Sequence, residues 1–329
     1  MILRFSAAIT LLFAMTSAVW AFDCGKASTA VEKTICANPD IKAADDALAA
    51  AYSEVKAFSA PAERKMLLRS QKRWIATREG CAQAETGITA CVRDETAKRL
   101  RLLAGTPKSG PGTGNRPIPV FVVQEGNAQV YDLDVQLLRF ADPQSAGEKT
   151  LNRITGEARN MLKLGSHGED TGGSTFAIVQ DMTVSYASPV FMSVIVSYWL
   201  DSGGAHGNGG VSNSNIGMQT GKLLEIGDFF GEEAAGELAA ACKAQLIAAK
   251  RKRLDGEIYD PSTDDFLKDE VIAEHVATLA RWRFLESKAS VSFDAYAIGS
   301  YAEGPYDCEF PMRELKAMAL DGAINLLAR

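Results

Sequence analysis

The stretch that divides this chain runs from Gly105 to Pro119 and reads GTPKSGPGTGNRPIP, in which eight of 15 residues are glycine or proline. Such a stretch buries little apolar surface and favours turns, so it is typical of a connection between folded parts. We therefore predict a linker at residues 105–117, with one domain at 22–104 and another at 118–329. The length of 329 residues agrees, because a chain of this size typically folds as about two domains.

The balance of charge also changes across the linker. Residues 22–104 contain 14 basic and 11 acidic side chains, whereas residues 105–329 contain 20 and 30. The whole chain has a net charge of −6, which excludes a generic polybasic nucleic-acid-binding protein. With 47% hydrophobic and 23% charged residues, the composition is that of a globular protein rather than a disordered one.

Residues 1–21 have the features of an export signal. Arg4 provides a positive start, residues 9–15 are apolar, and Val19-Trp20-Ala21 ends a stretch of small residues. The apolar run is shorter than the roughly 20 residues of a membrane-spanning helix, and no later run approaches that length. We expect cleavage near Ala21 and a periplasmic protein with no membrane span.

The domain at 22–104 is predicted to be all-helical. Apolar residues recur at three- to four-residue spacing from Ile41 to Phe58, and Pro61 opens a second helix. Shorter helices are expected at about 28–35 and 89–103. The helices at 40–58 and 61–80 are joined by a tight turn, so they should run antiparallel.

Six cysteines in an exported chain predict disulfide bonds. Cys36 precedes the first long helix and Cys81 follows the second, which favours the pairs Cys36–Cys81 and Cys24–Cys91 over the other two connectivities of these four residues. Cys242–Cys308 is expected because both residues lie beyond the linker. No Cys-x-x-Cys spacing or paired histidine ligands are present, so neither a metal nor a cofactor is expected.

The domain at 118–329 mixes strands and helices. Strands are predicted at about 130–140, 176–186, 190–200 and 291–296, and helices at about 148–164, 231–254, 264–281 and 311–327. The predicted fold is therefore an all-α, disulfide-bonded domain followed by an α+β domain with a mainly antiparallel sheet.

Sequence motifs of the first domain are those of a known family. They are Val31-Glu-Lys-Thr-Ile-Cys36, Asp45-Asp46-x-Leu48-x3-Tyr52 and Gln71-x2-Trp74-x3-Arg78-x2-Cys81. With these motifs and four cysteines in order, the first domain resembles the N-terminal domain of LprI-like lysozyme inhibitors. The resemblance implies an exported, disulfide-bonded helical module that inhibits lysozyme.

The second domain has motifs of its own. They include Leu151-Asn152-x-Ile154, Ser202-Gly-Gly-Ala-His206-Gly-Asn208 and Lys222-Leu-Leu-x-Ile226-x-Asp228. They resemble the region found in RsiV-type anti-sigma factors and beside PdaC-type deacetylases (DUF4163/DUF3298-like). In RsiV-type proteins this region binds lysozyme. The sigma-binding segment and the separate deacetylase domain are not found in this sequence, so neither of those activities is implied.

Both resemblances predict a lysozyme-like muramidase as the partner, bound without covalent chemistry. An acidic domain would attract a cationic lysozyme, and side chains on a protruding loop would then reach the carboxylates of its cleft. Ser202, His206 and Asn208 are the candidate contacts, because the glycines between them permit a tight loop. The alternative is a structural hairpin loop in which His206 caps backbone groups. Arg78 is a further candidate contact, with helix capping or pairing to Asp45 or Asp46 as its alternatives.

No catalytic motif supports an enzyme. Gly-x-Ser-x-Gly, His-Glu-x-x-His and a phosphate-binding loop are all absent from the sequence. The rival hypotheses are a peptidoglycan or cell-envelope binding module without lysozyme inhibition, and an unrecognised hydrolase. The type of lysozyme, the domain that binds it and the oligomeric state are left open.

Overall fold

The computed structural model describes residues 23–127, 130–165, 176–254 and 259–327, so the predicted signal at 1–21 lies outside the described residues. In this part of the chain, none of the helices is both long and apolar enough to cross a membrane. The helices are α1 (Ala30–Ala37), α2 (Pro39–Phe58), α3 (Pro61–Glu79), α4 (Ile88–Ala104), α5 (Ala146–Gly165), α6 (Glu232–Arg253), α7 (Asp269–Ala277), α8 (Met312–Met318) and α9 (Ile324–Leu327). The strands are β1 (Ile118–Gln124), β2 (Asp132–Arg139), β3 (Ala177–Ala187), β4 (Phe191–Asp201), β5 (Asn208–Gly217), β6 (Trp282–Phe284), β7 (Lys288–Phe293) and β8 (Tyr306–Pro311).

Helices α1 to α4 form the helical region, and local signals set their starts. Thr29 and Glu32 form a reciprocal capping box at α1. Pro61 occupies the first position of α3, as the sequence predicts. Arg78 near the end of α3 forms an ion pair with Asp45 near the start of α2, at 2.6 Å, so the two long helices run antiparallel.

The predicted pairs Cys36–Cys81 and Cys24–Cys91 are wrong. The structure instead has Cys24–Cys36 and Cys81–Cys91, with Cα–Cα distances of 5.8 and 5.5 Å. The prediction relied on Cys36 and Cys81 lying at the same end of the two antiparallel helices. In fact a short 3₁₀ turn at Cys24–Lys26 turns the chain back toward α1, and another at Gly80–Gln83 brings Cys81 beside the first turn of α4. Each bond therefore closes a local loop.

Five strands form the larger sheet in the order β1-β2-β3-β4-β5. All neighbours are antiparallel except β2 and β3, which are parallel. Parallel neighbours need a crossover connection, and α5 lies in the connection between them. A second, antiparallel sheet has the order β6-β7-β8. The predicted α+β fold with a mainly antiparallel sheet is confirmed.

The two faces of the larger sheet have different partners. Val135 and Leu137 point to one side and pack with Leu151 of α5. On the other side, Phe121 and Val123 of β1 share an apolar cluster with side chains from α2, α3 and α4, namely Leu48, Ala51, Val55, Leu67 and Leu103. The helical region therefore shares a hydrophobic core with the first strand of the sheet.

The predicted linker is hydrogen-bonded along β3. The backbone N–H groups of Lys108 and Gly112 donate to the carbonyls of Val184 and Ala187, each at 2.9 Å. Gly110 has φ +86°, and a Cβ atom there would lie 2.3 Å from the Ala187 carbonyl oxygen. Only glycine fits this approach, so the glycines of the stretch serve close packing as well as turns.

In the part of the chain that follows β5, α6 and α7 pack against β6, β7 and β8. Cys242 of α6 and Cys308 of β8 form the predicted disulfide, and both are fully buried. Nearby lies the Lys250 cluster, which comprises Lys250, Tyr259, Asp264, Glu303 and Tyr306. The Lys250 Nζ atom lies 2.7 Å from Asp264 Oδ2 and 2.9 Å from Glu303 Oε2.

On the face of the larger sheet that carries Phe121, the neighbouring positions on β2 and β3 are polar. Phe121 is opposite Gln136 of β2, and Gln136 is opposite Asp181 of β3. Burial, and to a lesser extent the nearby carboxylate of Asp134, raises the pKa of Asp181 to about 6. The pKa of Asp181 is therefore higher in the folded chain than in the unfolded chain. Ionisation of this carboxyl group lowers the free energy of unfolding as pH rises from about 4 to 6.

We therefore expect Asp181→Asn to raise the free energy of unfolding at pH 8 by on the order of 2 kcal/mol. The gain should vanish near pH 4, where Asp181 of the wild type is protonated in both states. Urea unfolding at the two pH values measures it. Asp94→Asn is the control, because Asp94 is exposed on α4 and keeps its hydration. An equal gain at both pH values would contradict the assignment.

Candidate functional site

The predicted loop connects β4 to β5 as a hairpin. Ser202, His206 and Asn208 are all exposed on it, so the structure brings these three candidates together. The Asp201 carboxylate accepts a hydrogen bond from the Gly203 N–H group at 2.9 Å, which tightens the start of the loop. The backbone of the loop is therefore that of a hairpin, and the side chains of the three candidates are accessible to a partner.

His206 is held by two tyrosines. Its Nδ1 atom lies 2.9 Å from the Gly207 carbonyl oxygen, which can only accept, so the proton is on Nδ1. In the neutral ring, Nε2 then accepts from the Tyr296 hydroxyl at 3.2 Å. The ring stacks on Tyr301 with a centroid distance of 3.7 Å. The imidazole is therefore fixed in one orientation before any partner binds.

Tyr296 itself occupies an uncommon backbone conformation. Its φ is +71°, in the left-handed region that few side chains larger than Asn adopt. Two residues earlier, the Asp294 carboxylate accepts from the Val211 N–H group at 2.9 Å and pairs with Arg281 at 2.6 Å. These contacts tie the turn to β5 and place the Tyr296 phenol beside His206.

Two exposed aromatic side chains, Tyr296 and Tyr301, contact His206, and three more exposed residues lie at the end of β4, next to the loop. We define the aromatic hairpin surface as His206 together with five residues that are each 37–53% exposed, namely Tyr198, Trp199, Leu200, Tyr296 and Tyr301. A Cβ atom at Gly207 would lie 2.3 Å from the Trp199 ring, so glycine is required for the indole to lie against the strand. Exposed Tyr and Trp side chains are enriched in the energetically dominant parts of protein interfaces.

Tyr198, Trp199, Tyr296 and Tyr301 are not among the candidate contacts predicted from the sequence. A signal was nevertheless present in the sequence. Tyr198, Trp199 and Leu200 are three consecutive large apolar residues at the end of a strand. Because side chains alternate between faces, such a run places large apolar groups on both sides of a sheet margin.

Comparison with known proteins gives a further observation on the helical region. Residues 24–103 match the family model "Lysozyme inhibitor LprI". The resemblance of the first domain is confirmed, and the match spans α1 to α4 with both local disulfides. No curated protein matches the chain.

Solved structures also align with the chain. One is a DUF3298 family member from Bacteroides fragilis NCTC 9343, with 13% identity, a TM-score of 0.44, and coverage of 65% of this chain and 97% of the other. Another is a DUF3298 family protein from Pseudomonas aeruginosa PAO1, with 17% identity, a TM-score of 0.41, and coverage of 64% and 98%.

Arg78 lies within the LprI-matching region. It is 9% exposed, pairs with Asp45 and lies 4.3 Å from the centroid of the Trp74 ring. The structure therefore shows one of the predicted alternatives, an ion pair between two helices. Arg78 is therefore buried, whereas two apolar side chains of α3 are accessible to a partner. These are Leu68 and Ile75, which are 49% and 41% exposed.

Proposed function

We propose that this protein inhibits lysozyme by binding it without covalent chemistry. The observation that carries the proposal is the match of residues 24–103 to the lysozyme inhibitor LprI family. Two disulfides stabilise this small helical region, as expected of a module that works outside the reducing cytoplasm. Export through the predicted signal at residues 1–21 is part of the proposal.

We propose that the aromatic hairpin surface makes the contact. The hairpin belongs to the acidic part of the chain, where 30 acidic side chains outnumber 20 basic ones after residue 104. Long-range attraction would bring a cationic lysozyme to this part and raise the association rate. Tyr296 and Trp199 then offer apolar contact area, and the exposed Ser202 hydroxyl can donate a hydrogen bond to a cleft carboxylate. His206 Nε2 can donate to a second carboxylate when it gains a proton and releases the Tyr296 hydroxyl.

Binding kinetics of the full chain on immobilised lysozyme test this proposal. The association rate should fall markedly as salt rises, because exposed charges are screened beyond about 8 Å at physiological ionic strength. The double variant Ser202→Ala with His206→Ala should dissociate about tenfold faster, since it loses hydrogen bonds worth about 1 kcal/mol or more. Ser53→Ala is the control, because Ser53 is exposed on α2 and its hydroxyl donates to the Ala49 carbonyl of the same helix.

Two other outcomes would change the assignment. If Leu68→Ser with Ile75→Ser abolishes inhibition while the hairpin variant has no effect, the contact lies on α3 of the LprI-matching region. If no lysozyme type binds at low salt and the chain instead co-sediments with insoluble peptidoglycan, the inhibitor proposal is wrong and the rival envelope-binding hypothesis replaces it.

A further inference from the structure

A cavity of about 520 Å³ lies between the helical region and the larger sheet. Side chains of α3 and α4 form one wall, and the polar face of β2, β3 and β4 forms the other; the segment 105–108 closes one edge. Val179 lines the cavity and is 37% exposed, so the cavity opens to solvent there. Its volume is within the range of about 300–1,000 Å³ that small-molecule sites occupy.

Arg99 of α4 is the most buried charge in the wall, at 3% exposure. Its Nε atom donates to Gln71 at 3.0 Å, and its Nη1 atom donates to Ser70 at 3.1 Å and to Gln136 at 3.2 Å. All three acceptors are neutral. Nη2 is buried and has no hydrogen-bond partner among the described residues. Burial accordingly lowers the pKa of Arg99 to about 10, and the guanidinium has an open donor.

The cavity wall holds further polar atoms without partners. Asp134 Oδ1 and Trp74 Nε1 are both buried and unbonded within the described parts of the chain. Burial raises the pKa of Asp134 and of its neighbour Asp181. Buried polar groups normally have a partner, and two donors and an acceptor left open in one cavity indicate a polar occupant.

The edge of the cavity at residue 108 is positive. Lys108 is exposed there, and its pKa is lowered by partial desolvation and by the cations Arg283, Arg101 and Lys98. Among the described residues, the charged groups that shift this pKa are all cations. An anion is therefore favoured near Lys108 and Arg99, whereas groups that donate hydrogen bonds are favoured on the side of the two aspartates.

We propose that this cavity binds a small sugar acid, with its carboxylate toward Arg99 and Lys108 and its hydroxyl groups toward Asp134 and Asp181. A sugar acid has the required mixture of one anionic group and several neutral donors and acceptors. The volume admits a mono- or disaccharide but not a folded polypeptide. The inference goes beyond lysozyme inhibition and does not depend on it.

Calorimetric titration of the full chain at pH 7.5 tests the proposal. The probes are N-acetylmuramic acid and N-acetylglucosamine, which differ by the lactyl carboxylate. We expect the acid to bind at least about tenfold more tightly, because a charge-assisted hydrogen bond is worth about that factor or more. Asp181→Asn and Lys108→Gln should each weaken binding of the acid by a similar factor. Lys65→Gln, an exposed lysine of α3 outside the cavity, should not change it.

Three results would overturn the proposal. The first is no binding of N-acetylmuramic acid at up to about 10 mM, which would leave water as the occupant. The second is equally tight binding of lactate or inorganic phosphate, which would indicate a general anion site. The third is binding that neither variant weakens. Asp181→Asn is expected to fold, because it removes an unfavourable buried charge, so loss of binding in this variant would not reflect unfolding.

Discussion

Replacement of Lys250 by alanine is expected to lower the free energy of unfolding by about 3–5 kcal/mol. The Lys250 side chain is 1% exposed and bridges Asp264 and Glu303, whose side chains are 9% and 11% exposed. Alanine would leave both carboxylates buried without a cation. Urea unfolding at pH 7 measures the loss.

A control and a rescue variant make the Lys250 prediction specific. Lys252→Ala, on the exposed side of the same helix, should change stability by less than about 0.5 kcal/mol. The triple variant Lys250→Met, Asp264→Asn, Glu303→Gln should regain most of the loss, because it removes all three charges together. A loss below about 1 kcal/mol for Lys250→Ala would contradict a buried ionic cluster.

The hydrogen bonds of the Lys250 cluster explain why so large an effect is expected. Burial alone would raise the pKa of Glu303, but hydrogen bonds from the Ser300 N–H group and from Lys250 outweigh it and lower the pKa. Burial and the bond to Glu303 raise the pKa of Tyr306 to about 12. A carboxylate with a lowered folded-state pKa stabilises the fold at neutral pH, and this contribution is lost as pH falls below about 4.

Removal of the disulfide by Cys242→Ala with Cys308→Ala is expected to cost about 4 kcal/mol. The bond joins residues 66 positions apart, so it restricts the unfolded chain strongly. Both cysteines are fully buried, and the smaller alanine side chains also leave space in the core. Urea unfolding without reductant measures the loss.

The matched control for that experiment is Cys24→Ala with Cys36→Ala. These residues are only 12 positions apart, so the chain-entropy effect is about 3 kcal/mol, and Cys24 is exposed. We expect the smaller loss for this pair. A larger loss here than at Cys242 and Cys308 would mean that the helical region sets the stability of the whole chain.

Local patterns predicted the elements whose signals are local. The predicted helices at 40–58 and 61–80 match α2 and α3, because apolar spacing and Pro61 at the first position of α3 are local signals. The strand β5 was missed, because Asn208–Gly217 is rich in Gly, Asn and Ser and has no apolar alternation. It is a strand because β4 pairs with it and because Asn215 donates to the carbonyls of Leu279 and Trp282. Leu279 and Trp282 lie more than 60 positions from Asn215 in the chain.

The candidate site likewise has a part that local sequence predicts and a part that depends on residues distant in the chain. Glycine spacing in the sequence was enough to predict the loop that holds Ser202, His206 and Asn208. It could not predict that Tyr296 arrives from 90 positions further along the chain to hold His206, since a turn in the left-handed region places it there. Arg78 is prominent in the motif of the first domain, yet its charge is satisfied by Asp45 inside the helical region.

The connectivity of the disulfides has a consequence for how the protein matures. Each of the three bonds joins a cysteine to the next one in the sequence: 24 to 36, 81 to 91, and 242 to 308. When a chain emerges from the ribosome or from a translocation pore with its N-terminus first, its thiols become available in that same order. An oxidant that joins each new thiol to the last unpaired one would therefore produce the native set directly. Maturation of this protein then requires a donor of oxidising equivalents but no enzyme that reshuffles mispaired bonds.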